Sequence, residues 1–381
     1  MNNRERVKAV LDHRAPDRIP WIPRLLLWYE ARNLAGTMPE KWSGLSLRDV
    51  ERDLGIGTPA RTGKIFKIER DGVDVKNRQE GGKTITEYNT AIGSVRSVED
   101  YSDELTRQGL PGRIVEYPLK TPKDFKVWEY VIEHTRWVPT YDAYESYDRE
   151  IGDDGLPMVP IGDVPLHDFL LNLGGYEQGF FQLEDYRREV ESLLNLMTAI
   201  QRERLWPVIL DSPAQLLLHG VHLSSQFTPP SLFEKYILPY YEEFMPLVHE
   251  RGKSVAMHAD NDTSQILDMI EKAGWDMCEC FVTAPMVPLT LERAREVWGD
   301  RVALWGGIPS LMLSPSVPEE EFRAYCHNLL DTIAPGKAFI LGVADNVMPD
   351  SLIERVAWIS GLLEKRGWYP VAERHNGGPP S

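Results

Sequence analysis

The chain has 381 residues, enough for one large barrel or two ordinary domains, and its 42% hydrophobic content is that of a soluble globular protein. Its 42 basic and 58 acidic residues leave a net charge of −16, and no run of Lys and Arg offers a phosphate-binding stripe, which argues against nucleic acid and anionic membrane as partners. No apolar stretch is long enough to span a bilayer, the charged, helical start "MNNRERVKAVLDH" does not read as a signal peptide, and three cysteines (Cys278, Cys280, Cys326) fit a reducing cytoplasm better than a disulfide framework.

In chain order, "RERVKAVLDH" places Val7, Val10 and Leu11 on one helical face, and "PDRIPWIP" reads as a short strand bounded by prolines. Residues 64 to 98 alternate apolar and polar, with "RDG" and "EGGK" as turns, and predict an antiparallel meander of two or three strands. Residues 99 to 150 carry no clear pattern. From residue 157, short apolar runs ("PMVPIGD", "WPVILDS", "SVAMHAD", "DMCECFV", "RVALWGG" and "AFILGVAD") mostly alternate with long helical patterns. That alternation implies a parallel sheet covered by helices. Adding "RIPWIP" and a weak candidate at "GIGTPARTG" brings the strands to eight. The expected fold is therefore an α/β (β/α)8 TIM barrel over residues 1–370, including the β-meander insertion at 64–98, with a flexible tail at 371–381. No G-x-G-x-x-G follows a strand and no G-x-x-x-x-G-K-[ST] occurs, which weakens a nucleotide-binding open sheet.

In a parallel barrel the active site lies at the C-terminal strand ends. Those ends carry Asp163, Asp211, His258 with Asp260, Glu279, the pair Gly306–Gly307, and Asp345. Asp211 before Ser-Pro can equally cap a helix, Asp262 reads as a cap, and the glycines can be a tight strand exit. His258 and Glu279 stand out because each interrupts an apolar strand, where a carboxylate is costly to bury unless paired or bound to a cation. Alternation along "CEC" puts Cys278 and Cys280 on the face opposite Glu279, as core packing, with Cys326 in the core of a helix. Neither H-E-x-x-H, nor a zinc-finger Cys pair, nor G-x-S-x-G is present. Aromatic residues such as Trp21 and Trp305 lie near strand ends; most suit a core or a homodimer interface, and a few suit a planar ligand.

Four stretches together resemble the uroporphyrinogen decarboxylase superfamily: "RERVKAVLDHRAPDRIPWIP", "TEYNTAIGSV", "FTPPSLFEKYILPYYEEFMPLVHERGKSVAMHAD" and "PGKAFILGVADNVMPDSLIERV". The resemblance covers most of the chain and implies a (β/α)8 barrel. The superfamily includes porphyrinogen decarboxylases, corrinoid-dependent methyltransferases and zinc-dependent methionine synthase barrels. The decarboxylases' glycine- and arginine-containing motif for substrate carboxylates is missing after the first strand, where only Arg24 and Arg32 remain. The thiol-methylating members hold zinc through His-x-Cys and a late Cys, with an added Glu in the methionine synthase type. Here "HAD" keeps His258 and puts Asp260 in place of the Cys, Glu279 sits like the added Glu, and "LGVAD" has Val343 near the late Cys with Asp345 beyond.

The resemblance thus implies a metal set of His258, Asp260 and Glu279, zinc being the metal expected. Catalytic roles fall to His258, Asp260 and Asp211, and substrate contacts to Asp163, Trp21, Trp305 and Asp345. A harder ligand set suits polarising an ether or phenolic oxygen better than activating a thiol. The implied activity is a methyltransferase that demethylates a small O-methyl (methoxy-aromatic) or N-methyl compound and passes the methyl to the Co(I) of a corrinoid (cobalamin) on a partner protein. The alternatives are a decarboxylase-like lyase and a non-catalytic barrel that binds a tetrapyrrole or corrinoid.

Overall fold

The computed structural model describes residues 1–101, 112–259 and 261–372. Asp260 and most of the expected tail, 373–381, lie outside the described residues; Val371 at its start is packed, its N–H donating to Pro335 O at 3.1 Å.

The N-terminal helix Asn3–Leu11 forms as its pattern predicts. Asn2 accepts from the Glu5 N–H and Glu5 accepts from the Asn2 N–H, a reciprocal cap that satisfies two otherwise orphaned donors. Its Val7 and Val10 pack with Leu156, Met158, Leu216 and Ile340 and so plug the N-terminal end of the central sheet. The inserted region holds more strands than its pattern predicts. β1 (Phe66–Arg70) leaves the meander and pairs antiparallel with β6 (Thr135–Pro139). β2 (Asp74–Glu80), β3 (Lys83–Thr90), β4 (Gly93–Asp100) and β5 (Arg113–Glu116) form a separate antiparallel sheet. Ile85, Val95 and Val98 are its buried side chains, and Tyr88 meets Trp128 of the helix Pro122–Glu133 edge-on at 4.9 Å. That helix, β6 and the helix Tyr141–Ile151 occupy the stretch that the sequence pattern left unassigned.

The central sheet has six parallel strands in sequential order: β7 (Met158–Pro160), β8 (Leu216–Val221), β9 (Ser254–His258), β10 (Met277–Phe281), β11 (Ala303–Pro309) and β12 (Phe339–Ala344). Ala256, Met277, Ala303, Trp305 and Ile340 point to the inner core; Val255, Met257, Cys278, Leu304 and Phe339 face the helices. The sheet does not close as a regular eight-stranded ladder. The two remaining expected strands are extended segments joined by isolated hydrogen bonds: Ile22 N–H to Leu341 O at 2.9 Å, Gly57 N–H to Trp21 O at 2.9 Å, and Met158 N–H to Ala60 O at 3.0 Å. Pro20, Pro23 and Pro59 cannot donate to a ladder, and Ala60 has φ of 49°, so neither segment can run as a regular strand.

One expected strand is a helix. "WPVILDS" continues the helix Arg187–Ile200 through a π turn, Gln201–Leu205, into Trp206–Leu210. The strand at that place in the sheet is β8, "LLLHGV".

Candidate active site

At the C-terminal ends of the strands, backbone register aligns His258 of β9 with Glu279 of β10, and Glu279 with Trp305 of β11. Equivalent positions on adjacent parallel strands project to one face, and Glu279 Oε2 lies 2.5 Å from His258 Nδ1, both residues buried. Arg61 Nη1 donates to Glu279 Oε1 at 3.3 Å. Burial alone pushes the Glu279 pKa up; the Arg61 guanidinium, then His258, then Arg24, outweigh it and hold the carboxyl at about 2. Glu279 is therefore an anion that accepts from His258 Nδ1–H.

β10 then breaks its alternation. Cys280 has φ of 60°, and the register with β11 shifts between Glu279 and Phe281. This bulge turns consecutive residues to the same side. Gly306 opposite makes room: a Cβ there would lie 2.6 Å from Phe281 O. The expected placement of Cys280 opposite Glu279 is thereby corrected, whereas Cys278, lower on the regular strand, does pack outward in the core, and burial drives its thiol pKa well up. Cys280 Sγ accepts the Asp345 N–H at 2.8 Å. Asp345, just past β12 with φ of 66°, also receives hydrogen bonds from Arg24 Nη1 at 3.3 Å and Asn346 Nδ2 at 2.8 Å.

The outcome is a group in which one ligand atom each from His258, Cys280 and Asp345 lie within 4.8 Å of one another, the one such group among the described residues. Imidazole, thiol and carboxylate are the donor types zinc accepts, and three protein donors are the count of a catalytic site. A histidine whose second nitrogen is held by a carboxylate is the usual support for such a ligand. The residues present therefore fit a zinc-like ion. Of the expected His258, Asp260 and Glu279, His258 belongs to this group, Glu279 is occupied by His258 and Arg61, and Asp260 lies outside the described residues, while a sulfur enters from Cys280.

The other expected residues divide. Asp163, after β7, accepts the Val221 N–H at 2.9 Å and lies 3.5 Å from His167 Nδ1. Burial raises its pKa, but His167, His219 and the Val221 N–H together hold it below the usual carboxylate value. Asp211 does not reach the site. It ends a helix that precedes β8, at the opposite end of the sheet, and pairs in the open with Arg251 at 2.7 Å. Trp21 points to the helix layer, where its indole N–H donates to Ser360 Oγ at 3.1 Å. Trp305 fills the inner core with its N–H on Ile22 O at 2.9 Å, forming floor rather than wall. Asp262 caps a turn by accepting from the Ser264 N–H and hydroxyl, each at 3.0 Å.

Two mouth residues were not anticipated. Arg61 follows the weak strand candidate "GIGTPA", so the strand-end rule applied there would have reached it. His222 follows β8, has φ of 58°, donates its N–H to His258 O at 3.1 Å, and sets its ring 5.5 Å from that of His258. Beside it a cavity of about 260 Å³ is lined by Leu171, Tyr176, His222, Phe227 and Asn261.

Fold and site together define an α/β protein built on a parallel sheet, with ionisable side chains and donor types that could hold a metal gathered at the strand ends. The uroporphyrinogen decarboxylase (URO-D) family model matches residues 114–365, well over half of the chain, and the chain belongs to that family. Among solved structures, a methyltransferase from Methanosarcina mazei aligns over 96% of this chain and 99% of its own, with a TM-score of 0.55 and 14% identity, a likeness of fold alone. A ribulose-1,5-bisphosphate carboxylase/oxygenase from Pyrococcus horikoshii aligns over 62% of this chain and 47% of its own at 9% identity, and its TM-score of 0.27 gives it no weight. No protein of curated function matches the sequence. Among the described residues no helix is long and apolar enough to cross a membrane.

Proposed function

We propose that this protein is a corrinoid-dependent methyltransferase that demethylates a small O-methyl or N-methyl compound and delivers the methyl to the Co(I) of a corrinoid carried by a separate protein. The observation that carries the reading is the convergence of His258, Cys280 and Asp345 on one point, with Glu279 fixing the His258 ring. The structural likeness to a methyltransferase over nearly the whole chain agrees with it.

The methyl carbon is attacked by the Co(I) nucleophile while its bond to oxygen or nitrogen breaks, and that electron pair stays on the leaving atom. A bound zinc-like ion would supply Lewis acidity that makes this atom a better leaving group. The chain's own part is positional. Glu279 and Arg61 hold His258 in one ring orientation, and Arg24 holds Asp345 beside Cys280. A single thiol among nitrogen and oxygen donors leaves the set harder than one with two thiolates, which favours an oxygen or nitrogen leaving group over activation of an acceptor thiol. Leu26, Met286 and Leu311 are exposed apolar side chains on segments that follow Trp21–Ile22, β10 and β11, suited to contact with a carrier protein.

A decarboxylase of a polycarboxylate fits less well. The two mouth arginines already serve carboxylates of this chain, Arg24 with Asp345 and Arg61 with Glu279. The test combines elemental analysis of the purified protein with Co(I) cobalamin and a panel of methoxy-aromatics and methylamines, read by the absorbance change on cobalt methylation. Turnover with one class and one equivalent of metal are expected. No cobalt methylation with any member of the panel would sink the methyltransferase reading, and conversion of uroporphyrinogen to a less carboxylated product would replace it.

A further inference from the structure

Backbone strain in this protein gathers at one place. Six non-glycine residues among the described ones have positive φ, and three of them, His222 at 58°, Cys280 at 60° and Asp345 at 66°, stand around His258. A fourth, Ala60, precedes Arg61. Such conformations cost free energy and persist only where the surroundings impose them. Cys280 and Asp345 belong to the metal-donor group. His222 is the third strained neighbour, and it is exposed at the rim of the adjoining cavity, so core packing does not demand a histidine there.

The strands on either side of β9 re-aim side chains in the same way. In β10 an extra residue falls between Glu279 and Phe281, and Cys280 joins His258. In β8 the register with β9 slips by one residue between Leu218 and Val221, where Gly220 has φ of 90°. His222 follows, and its backbone N–H on His258 O pins it beside the end of β9. That hydrogen bond needs no imidazole. What the imidazole adds is position: its ring centre lies 5.5 Å from that of His258, with the planes at 79°. Two imidazoles on one tetrahedral zinc, at Zn–N of about 2.0–2.1 Å, hold their ring centres roughly 5 Å apart. The two rings are thus spaced almost as co-ligands are, and an exposed ring has room to turn a nitrogen toward the ion.

We propose that His222 is a fourth donor to the ion held by His258, Cys280 and Asp345. It is not one of the three whose ligand atoms lie within 4.8 Å of one another, so it is the outermost of the four and the most readily exchanged. The three inner donors hold the ion. His222 completes a four-coordinate sphere from the cavity side and gives way when another oxygen or nitrogen ligand enters there. The left-handed backbone at His222 is what aims a side chain from an exposed turn at the end of β9. This role rests on the metal centre of the proposed function and not on its methyl-transfer chemistry, so it is tested without turnover.

The experiment loads wild type and His222→Gly with zinc. It measures affinity against a chromophoric competitor and counts bound imidazoles by X-ray absorption fine structure. Two imidazoles are expected in wild type and one in His222→Gly, whose zinc affinity should fall by about 10–100-fold. That is less than the loss expected for Cys280→Ala, because water can take an outer position. Glycine accepts positive φ without strain, so the metal-free variant should melt no lower than wild type. If it is not folded, His222→Asn serves, since asparagine also tolerates this backbone. Free imidazole added to His222→Gly should restore both the affinity and the second imidazole signal. A ring that merely packs on His258 would give a lower melting temperature with unchanged zinc affinity, and that result overturns the proposal. A single imidazole in wild type overturns it too, and leaves the three-donor centre standing. Failure of wild type to bind zinc removes the role of His222 and the metal centre together, while cobalt methylation by the same sample keeps the methyltransferase reading.

Discussion

Two histidine–carboxylate pairs are buried at the strand ends of this protein, and their surroundings differ. His258 and Glu279 lie 2.5 Å apart on neighbouring strands, with Arg61 on the far side of the carboxylate and Cys280 and Asp345 beside the imidazole. His167 and Asp163 lie 3.5 Å apart on one loop and helix start, where Asp163 accepts the Val221 N–H and so ties the end of β7 to the end of β8. The first pair opens on further donors; the second is taken up by backbone and neighbouring side chains. Burial of a titratable pair fixes geometry in both. Only the first brings together donor atoms of the types that can hold a metal ion, and convergence of that kind, rather than burial, marks a candidate site.

The largest expected effect separates the pairs outright. His258→Ala should abolish both metal binding and methyl transfer while the protein stays folded, because it removes one of the three donors that converge with Cys280 and Asp345. His167→Ala should do the reverse. It removes Asp163's partner and should lower stability by roughly 1–3 kcal/mol, with metal content retained. Melting temperature, bound zinc and cobalt methylation on both variants decide it. Full methyl transfer by a folded His258→Ala protein would falsify the site.

The next contrast lies within one strand. Cys280→Ala should lower zinc affinity by more than the roughly 10–100-fold typical of a supporting residue, because it removes a direct donor. Cys278→Ala, two residues earlier, should leave zinc affinity unchanged and lose on the order of 1 kcal/mol of stability from the core. Equal zinc affinity in the two variants would mean that the bulge at Cys280 does not deliver its sulfur. Glu279→Gln is expected to be milder than either direct-ligand change, about 10–100-fold in metal affinity, since the amide can still contact His258 but no longer carries the charge that fixes its tautomer. A zinc titration with a chromophoric competitor ranks all three.

These contrasts also mark how far the sequence can be read. The alternation of short apolar runs with helical patterns located β7, β9, β10, β11 and β12, and a residue type foreign to its strand located His258 and Glu279. What failed shares a physical cause. A short apolar run is compatible with a strand or with a buried helical turn, and "WPVILDS" looks like either. Assigning it to the sheet placed Asp211 at the mouth and hid β8, and with it His222. The regular strand ladder assumed for "CEC" put Cys280 on the wrong face, because a bulge is set by tertiary fit. Its one trace in the sequence is Gly306 with Gly307 on the next strand, read as an exit when Gly306 is what admits the bulged Phe281. The prolines that keep Trp21–Ile22 and Gly57–Ala60 out of regular ladders were visible, but their consequence for closure of the sheet was not drawn from them.

The smallest expected effect concerns the second pair and its neighbours, where two pH dependences oppose each other. His219 is buried among Tyr240, Tyr241 and Phe244, and burial, opposed by Asp163, depresses its pKa from 6.5 to about 4. The unfolded chain therefore takes up this proton first as pH falls, and stability is lost between pH 6.5 and 4, on the order of 3 kcal/mol in full. Asp168 works the other way. Burial raises its carboxyl to about 6 against the hydrogen bond from Asn172, so the folded chain takes up that proton first. Its contribution is fully present below 3.8 and is lost as pH rises through about 6. The two nearly cancel over one window, and the wild-type protein should show little net dependence from this cluster. Each can be exposed by deleting the other. Asp168→Asn should lose stability more steeply than wild type as pH falls from 6.5 to 4, and His219→Phe, which keeps an aromatic ring in an aromatic setting, should lose it less steeply or gain. Denaturant midpoints at half-unit pH intervals measure both slopes, and parallel profiles for the three proteins would mean that neither group is held away from its ordinary pKa.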